Sequence, residues 1–285
     1  MQPTNLMNQL SKKINAFTLI ELAVALGVLA LLGAMLVPAM ARVRGTSSRV
    51  ACADNLKQIG AAFNSWKVNH FGQYPMTVLN SAGGPPGLSA GMTIAASASA
   101  SAAANAATVT YAVFGVMSHE LITPKLLICP SDERSPHTNF IMFVTGNAGQ
   151  QVAQAATAGS ANDPGQPYFN NFKLSYFLGV NARDSTPQMF LAGDRNIWGD
   201  HYGTQPAQNY NGYGNINSTE YWMGTNWPAG ATFPQWSPTK MHQSRGNVLL
   251  ADGSVQQFNS SQLRYQCSRS GDTTYMPGPN TLLFP

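Results

Sequence analysis

Charged side chains are scarce in this sequence: Lys, Arg, Asp and Glu make up 10% of its 285 residues, against about 25% in ordinary soluble domains. The 16 basic residues are scattered, without a run of five, and the formal net charge is only +4. This pattern argues against a basic nucleic-acid-binding surface, so we expect no nucleic-acid partner. Most of the surface must consist of uncharged polar residues, which suits a secreted or envelope protein.

Cysteine is rare as well, with only Cys52, Cys129 and Cys267. The three form no CxxC motif and no Cys/His spacing typical of zinc, so the sequence predicts no metal site. Outside the cytoplasm an odd number of cysteines indicates one disulfide and one free thiol. Cys52 lies on the apolar face of a predicted helix, and Cys129 ends a segment that we expect to pack there. We predict a Cys52–Cys129 disulfide; the alternative is a Cys129–Cys267 bond.

A nucleophile with a nearby base is also missing. The formal match to a serine-hydrolase motif is GLSAG at residues 87–91, but that motif needs a strand before it and a helix after it. Here the sequence GGPP at residues 83–86 precedes it. We therefore predict that the protein is not an enzyme, with an envelope hydrolase as a distant alternative.

One long apolar run is present, at residues 17–41. A helix from residue 22 to 41 would span ~30 Å, the thickness of the hydrocarbon core of a bilayer. Glu21 stands at the mouth of this run, where a carboxylate needs a partner, so it is a candidate functional residue. One alternative is an ordinary secretory signal peptide, cleaved after the small residues 39–41 (AMA).

Residues 12–21 (KKINAFTLIE) resemble the leader of type IV pilins and type II secretion pseudopilins. In that family a prepilin peptidase cleaves before a Phe and methylates the new amino terminus, and the fifth mature residue is a Glu. Cleavage between Ala16 and Phe17 would put Glu21 at that fifth position, where the family uses it for assembly. The resemblance implies a cleaved leader (residues 1–16), a cytoplasmic N-terminus and a periplasmic head in a single-pass inner-membrane protein.

A second helical pattern follows the apolar run. Apolar residues recur there at spacings of four and three, which defines one helix face: Cys52, Leu56, Ile59, Phe63 and Trp66. Gly72 and Pro75 end the pattern. The sequence thus predicts one helix from about residue 17 to 71, kinked at Pro38, with an apolar half (17–41) and an amphipathic half (42–75).

The rest of the sequence, residues 76–285, predicts a flexible loop followed by a β-rich head. Residues 76–107 are rich in Gly, Pro, Ala and Ser, which is typical of a flexible insertion. Within the head, residues 108–285, we predict three strands before the C-terminal region and irregular aromatic-rich loops: strands at 139–145, 173–180 and 188–192, and loops at 200–238. The expected fold class is α+β, a long N-terminal helix packed on an antiparallel sheet with long loops, as the pilin resemblance implies.

Residues 246–258 (GNVLLADGSVQQF) predict a hairpin with a two-residue type I′ turn at Asp252 and Gly253. His242 precedes this pair by ten positions, which resembles the H-X9-DG element of a subgroup of pilin-like proteins. Residues 52–75 and the CPSD sequence at 129–132 resemble the same subgroup. We interpret Asp252 and Gly253 as turn residues and His242 as a structural hydrogen-bonding group; a catalytic His242–Asp252 pair is the alternative.

Two ligand-binding hypotheses remain open. Seven aromatic residues either line a glycan-binding surface or, as we favour, form the core of a loop-rich subdomain: Trp198, Tyr202, Tyr213, Tyr221, Trp222, Trp227 and Trp236. Asp194, Asp200 and Asp252 are candidate calcium ligands. The calcium loop of major pseudopilins is not visible here, so we assign no metal or cofactor.

The resemblance as a whole implies a structural subunit of a type II secretion pseudopilus or a type IV pilus-like filament. Its implied partners are the prepilin peptidase, other pilin or pseudopilin subunits, the inner-membrane assembly platform and the membrane itself. The alternative is a membrane-anchored or secreted envelope protein that binds a ligand such as a glycan and uses the helix only as an anchor or signal.

Overall fold

The computed structural model describes residues 18–85, 109–137, 140, 173–199, 219–227, 232, 234–274 and 278–285. The chain divides into two compact units, Met1–Thr46 and Ser47–Pro285. The described residues combine helices with an antiparallel sheet, so the fold is α+β, as the sequence predicts. The strand predicted at 139–145 and the Ala/Ser-rich part of the predicted loop, residues 86–107, lie outside the described residues, except for the isolated Phe140.

The first helix, α1, runs from Leu19 to Asn69, close to the predicted bounds. In the first unit its apolar stretch Leu19–Leu36 has a mean hydropathy of 2.5, and none of its residues is classed as buried. This stretch is long and apolar enough to cross a membrane, and a signal sequence has the same character.

In the second unit, α1 buries the predicted face. Each of its five members is at most 2% exposed: Cys52, Leu56, Ile59, Phe63 and Trp66. The polar residues Asp54, Lys57 and Asn64 lie off this face and are exposed. The helix ends in a Schellman-type cap, because the Gly72 N–H donates to the Lys67 carbonyl at 3.0 Å.

Short helical segments follow α1 and complete one wall of the core. They are the 3₁₀ turns Pro75–Thr77, Asn80–Ala82 and Pro124–Leu127, with helices α2 (Val109–Val116) and α3 (Ser118–Leu121). Met76 and Val78 are buried in this core. The beginning of the segment predicted to be a flexible loop is therefore packed.

The head contains a six-stranded antiparallel sheet and a two-stranded ribbon. The strands of the sheet are β1 (Tyr176–Gly179), β2 (Phe190–Asp194), β4 (Thr219–Trp222), β6 (Arg245–Leu250), β7 (Val255–Asn259) and β8 (Thr281–Phe284). Their spatial order is β4-β8-β1-β2-β6-β7, and every neighbouring pair is antiparallel. The ribbon pairs β3 (Ile197–Trp198) with β5 (Gln235–Trp236).

Both faces of the sheet are covered, because alternate residues of β1, β6 and β8 enter different cores. Leu178, Leu191 and Leu249 join the α1 face in one cluster, which we call the helix-side core. Phe177, Val248, Leu250, Leu282 and Phe284 join Trp236 of β5 in a second cluster, which we call the outer core. The outer core also contains Leu263 and Cys267 of helix α4 (Ser260–Arg269).

Several elements differ from the sequence prediction. The region 200–238, expected to be irregular, contains β4 and β5. The pattern analysis also missed α4 and β8. A signal for α4 was available, since Asn259 and Gln262 form a capping box at its start.

Candidate functional site

At the start of α1, Thr18 and Glu21 form a capping box. Glu21 Oε2 accepts hydrogen bonds from the backbone N–H of Thr18 at 2.9 Å and from its hydroxyl at 2.8 Å. The Glu21 N–H in turn donates to the Thr18 hydroxyl at 3.3 Å. This arrangement satisfies donors that a helix end otherwise leaves without partners. Glu21 thus has a local structural role that the sequence analysis did not identify, while Ala16 and Phe17 lie outside the described residues.

A disulfide joins Cys52 of α1 to Cys129, with the two Cα atoms 5.0 Å apart. Beside it, the Asn55 side-chain amide donates to the Ile128 carbonyl at 3.0 Å. Cys267 is a buried free thiol that belongs to the outer core. The pairing is the one that the sequence predicts, and the alternative Cys129–Cys267 bond does not occur.

The CPSD sequence around Cys129 is anchored by a buried ion pair. Arg195 donates two hydrogen bonds to the Asp132 carboxylate, from Nε at 2.8 Å and from Nη2 at 2.7 Å, and both side chains are 1% exposed. Burial raises the pKa of Asp132, but the hydrogen bonds and charge of Arg195 outweigh it and hold that pKa below its usual value. Asp132 is therefore ionised and fixed to the end of β2.

His242 lies between Cys129 and Asp194, in the interior of the head. Its Nε2 is 3.3 Å from Cys129 Sγ and 3.3 Å from Asp194 Oδ2, and the histidine side chain is 1% exposed. Asp194 Oδ2 also accepts hydrogen bonds from Asn247, from the backbone N–H at 2.7 Å and from the side chain at 3.0 Å. We call this group, Cys52, Cys129, Asp194, His242 and Asn247, the motif junction.

The electrostatics of the motif junction follow from its burial. Burial raises the pKa of Asp194 to about 7, although the hydrogen bonds from Asn247 oppose the shift. Burial lowers the pKa of His242 to about 4, and the positive charge of Arg49 acts in the same direction. Around neutral pH the histidine is uncharged, so its contact with Asp194 is a hydrogen bond between a neutral ring and a carboxyl group.

The motif junction contains residues from three sequence segments that lie far apart along the chain. Cys52 comes from residues 52–75, Cys129 from the CPSD sequence and His242 from the H-X9-DG element. The partner that sequence reasoning missed is Asp194, which it considered only as a calcium ligand. The sequence signal for a buried role of Asp194 is weak. This residue directly follows the apolar sequence FLAG in a chain with only 12 acidic residues.

Asp252 and Gly253 form the turn between β6 and β7. The Gly253 N–H donates to the Leu250 carbonyl at 2.9 Å, and only Gly253 of the pair has a positive φ, +83°. These features describe a type I turn followed by a G1 bulge, so the predicted type I′ turn is wrong. Asp252 Oδ1 accepts from the Ser254 N–H at 2.8 Å. Within the described part of the chain, no hydrogen bond joins His242 to Asp252.

The structure shows where several of the candidate calcium ligands and aromatic residues lie. Asp194 is buried in the motif junction, whereas Asp252 is an exposed turn residue and Asp200 lies outside the described residues. The structure does not bring Asp194 and Asp252 together. Of the aromatics, Trp236 belongs to the outer core, and Tyr221 and Trp227 pack against it. Tyr202 and Tyr213 lie outside the described residues.

One group of side chains in the described part of the chain has the composition of a metal site: Cys52, Cys129 and His242, whose ligand atoms all lie within 4.8 Å of one another. The two sulfurs are bonded to each other in this structure. Comparison of the chain with family models, with curated proteins and with solved structures finds no match.

Proposed function

We propose that the protein is a structural pilin-like subunit, processed by a prepilin peptidase and assembled into a type II secretion pseudopilus or a type IV pilus-like filament. The observation that carries this proposal is that α1 has two parts with different surroundings. One helix holds both an exposed stretch of membrane length, Leu19–Leu36, and a face that is built into the helix-side core. A simple anchor or signal does not need to contribute to the core of the head.

Glu21 supplies the chemistry of assembly in this proposal. A carboxylate at the edge of an apolar helix needs a cation when the helix enters a bilayer or a filament core. The methylated amino group of Phe17 in a neighbouring subunit is the cation that the family resemblance implies. The capping box does not compete with this role, since a carboxylate has two oxygens and both interactions described here use Oε2.

Processing is tested by mass spectrometry of the amino terminus of the protein from membranes. The proposal expects an N-methylated Phe17. An amino terminus at Arg42 would instead identify a cleaved signal peptide and a secreted protein, and an unprocessed amino terminus would favour a simple anchor.

Assembly is tested with variants that separate the charge of Glu21 from its capping role. Glu21→Gln retains a side chain that can complete a capping box but removes the charge, whereas Thr18→Ala removes the cap and keeps the charge. We expect Glu21→Gln and Glu21→Val to be membrane-inserted and cleaved but absent from sheared filaments, while Thr18→Ala assembles. Normal filament yield from Glu21→Val would refute the assembly role. Loss of assembly in Thr18→Ala with normal yield from Glu21→Gln would assign Glu21 to helix capping alone.

A further inference from the structure

The metal-binding composition of the motif junction is not visible in the sequence. Cys52 and Cys129 are 77 residues apart, and Cys129 and His242 are separated by 113. No zinc-binding spacing therefore appears along the chain, although folding brings the three ligand atoms within 4.8 Å of one another. All three residues are buried, with 0%, 0% and 4% exposure.

The distance between Cys129 and His242 is close to that in a tetrahedral zinc site. With Zn–S bonds of about 2.3 Å and Zn–N bonds of about 2.0 Å, neighbouring sulfur and nitrogen ligands are about 3.5 Å apart. His242 Nε2 is 3.3 Å from Cys129 Sγ, so this pair already has nearly the required spacing. The sulfurs would have to separate to about 3.8 Å once the bond between them is broken.

The surroundings suit a pair of thiolates and a cation. The Ser131 N–H points at Cys129 Sγ at 3.4 Å, and such a donor stabilises negative charge on the sulfur. Asp194 Oδ2 lies 3.3 Å from the same imidazole nitrogen, so a carboxylate is close to the three ligand atoms, and the Oδ1 atom of that carboxylate has no hydrogen-bond partner among the described residues. Two thiolates, one carboxylate and a divalent cation sum to one negative charge, which Arg49 can balance because its charge already acts on Asp194.

From this geometry we infer that the motif junction binds a thiophilic divalent cation, of which zinc is the representative, when the Cys52–Cys129 disulfide is reduced. A dithiol reductant delivers two electrons and two protons, which breaks the S–S bond and leaves the reductant as a disulfide. Metal binding then releases one proton from each thiol to solvent as two metal–sulfur bonds form. Because both states use the same sulfurs, the cation and the disulfide exclude each other.

The test uses the full-length chain in detergent, reduced with a phosphine, freed of reductant without air and titrated with cobalt(II) chloride. We expect one cobalt per chain, with thiolate-to-cobalt charge-transfer absorption and the visible bands of tetrahedral cobalt, and displacement of cobalt by zinc chloride. The oxidised chain should show none of these bands. Equal uptake by the oxidised chain, or no uptake by a reduced chain that circular dichroism shows to be folded, would overturn the inference.

Three variants assign the ligands. Cys52→Ser and His242→Ala each remove one proposed ligand and should weaken binding by at least about 100-fold, more than the loss of an outer-shell partner typically does. Cys267→Ser is the matched control, because it removes a buried thiol of the outer core and leaves the motif junction intact. Unchanged affinity in His242→Ala, or equal loss in Cys267→Ser, would contradict the assignment.

A reduced chain that unfolds is informative as well. In that case zinc chloride should restore the native circular dichroism spectrum, and magnesium chloride, whose cation prefers oxygen ligands, should not. A reduced chain that stays unfolded with zinc would refute the inference. None of these measurements involves filaments, so the result is independent of the proposed assembly function.

Discussion

His242 and Asp194 form a buried pair in which the two pKa shifts have opposite effects on stability. The folded pKa of Asp194, about 7, is above its unfolded value of about 3.9, so its contribution is present below pH 4 and is lost as pH rises through 7. The folded pKa of His242, about 4, is below its unfolded value of about 6.5. Its contribution is present above pH 6.5 and is lost as pH falls through 4. In the native protein the two effects largely cancel.

Removing one partner should therefore leave the pH dependence that the other partner causes. The free energy of unfolding of the two variants should change with pH in opposite directions. For Asp194→Asn, which keeps the shape of the side chain, the free energy of unfolding should fall by about 3 kcal/mol as pH is lowered from 7 to 4. For His242→Gln it should fall by about 4 kcal/mol as pH is raised from 4 to 7. Urea unfolding of the oxidised protein at several pH values measures both slopes. The exposed Asp54→Asn is the control, and slopes of the same sign in the two junction variants would contradict this account.

At this scale the sequence allows some contacts to be predicted and not others. The Cys52–Cys129 bond was predictable because Cys52 lies on a recognisable helix face and Cys129 closes an apolar segment. The contacts of His242 with Cys129 and Asp194 were not, because they depend on how three distant segments meet in space. The capping box of Thr18 and Glu21 could have been predicted from its T-x-x-E spacing at the start of the helix.

Among the elements, the β6–β7 hairpin shows how a short sequence signal fixes local geometry. Gly253 has a φ of +83°, and the nearest atom that a Cβ on it would meet is Asn64 Nδ2, at 3.5 Å. This is an ordinary contact distance, so a side chain there meets backbone strain rather than a steric clash. The Asp-Gly pair in the H-X9-DG element thus has a structural explanation that does not involve catalysis.

Gly253→Ala should consequently lower the free energy of unfolding by about 1–2 kcal/mol, as the strain of a left-handed backbone requires. Gly253→Asn is the matched variant, since Asn tolerates this conformation better, and it should recover much of the loss. Thermal or urea unfolding of the two variants measures the difference. Equal stability of the Ala and Asn variants would show that the turn relaxes to another conformation.

Strands and helices differed in how well the pattern predicted them. The face of α1 and the β6–β7 hairpin have clear periodicity, and both exist. Strands β1 and β2 are buried on both faces, so their apolar runs predicted strands at about the right places without showing which core each residue joins. The hydrophobic pattern did not predict α4, because this helix is polar at most positions and buries only Leu263 and Cys267.

For the whole molecule, the central question is whether the head needs the amphipathic half of α1. The unit Ser47–Pro285 includes this half from Ser47 onwards, and the five buried apolar residues of the half lie in the same cluster as Leu178, Leu191 and Leu249 of the sheet. Burial of each such side chain contributes roughly 1.5–3 kcal/mol, so together they rival the total stability of a typical domain, about 5–15 kcal/mol. The disulfide adds a covalent link across the same surface.

We therefore expect a fragment that starts near Thr46 to fold as a soluble monomer with cooperative thermal unfolding, and a fragment that starts near Gly72 to aggregate because the helix-side core is open. Within the longer fragment, Phe63→Ala should destabilise by about 3–5 kcal/mol, while the exposed neighbour Asn64→Ala should change stability by less than about 0.5 kcal/mol. Gel filtration and circular dichroism measure these outcomes. A soluble, cooperative fragment from Gly72 would mean that α1 is only an anchor, and it would transfer support from the pilin-like subunit to an anchored binding protein.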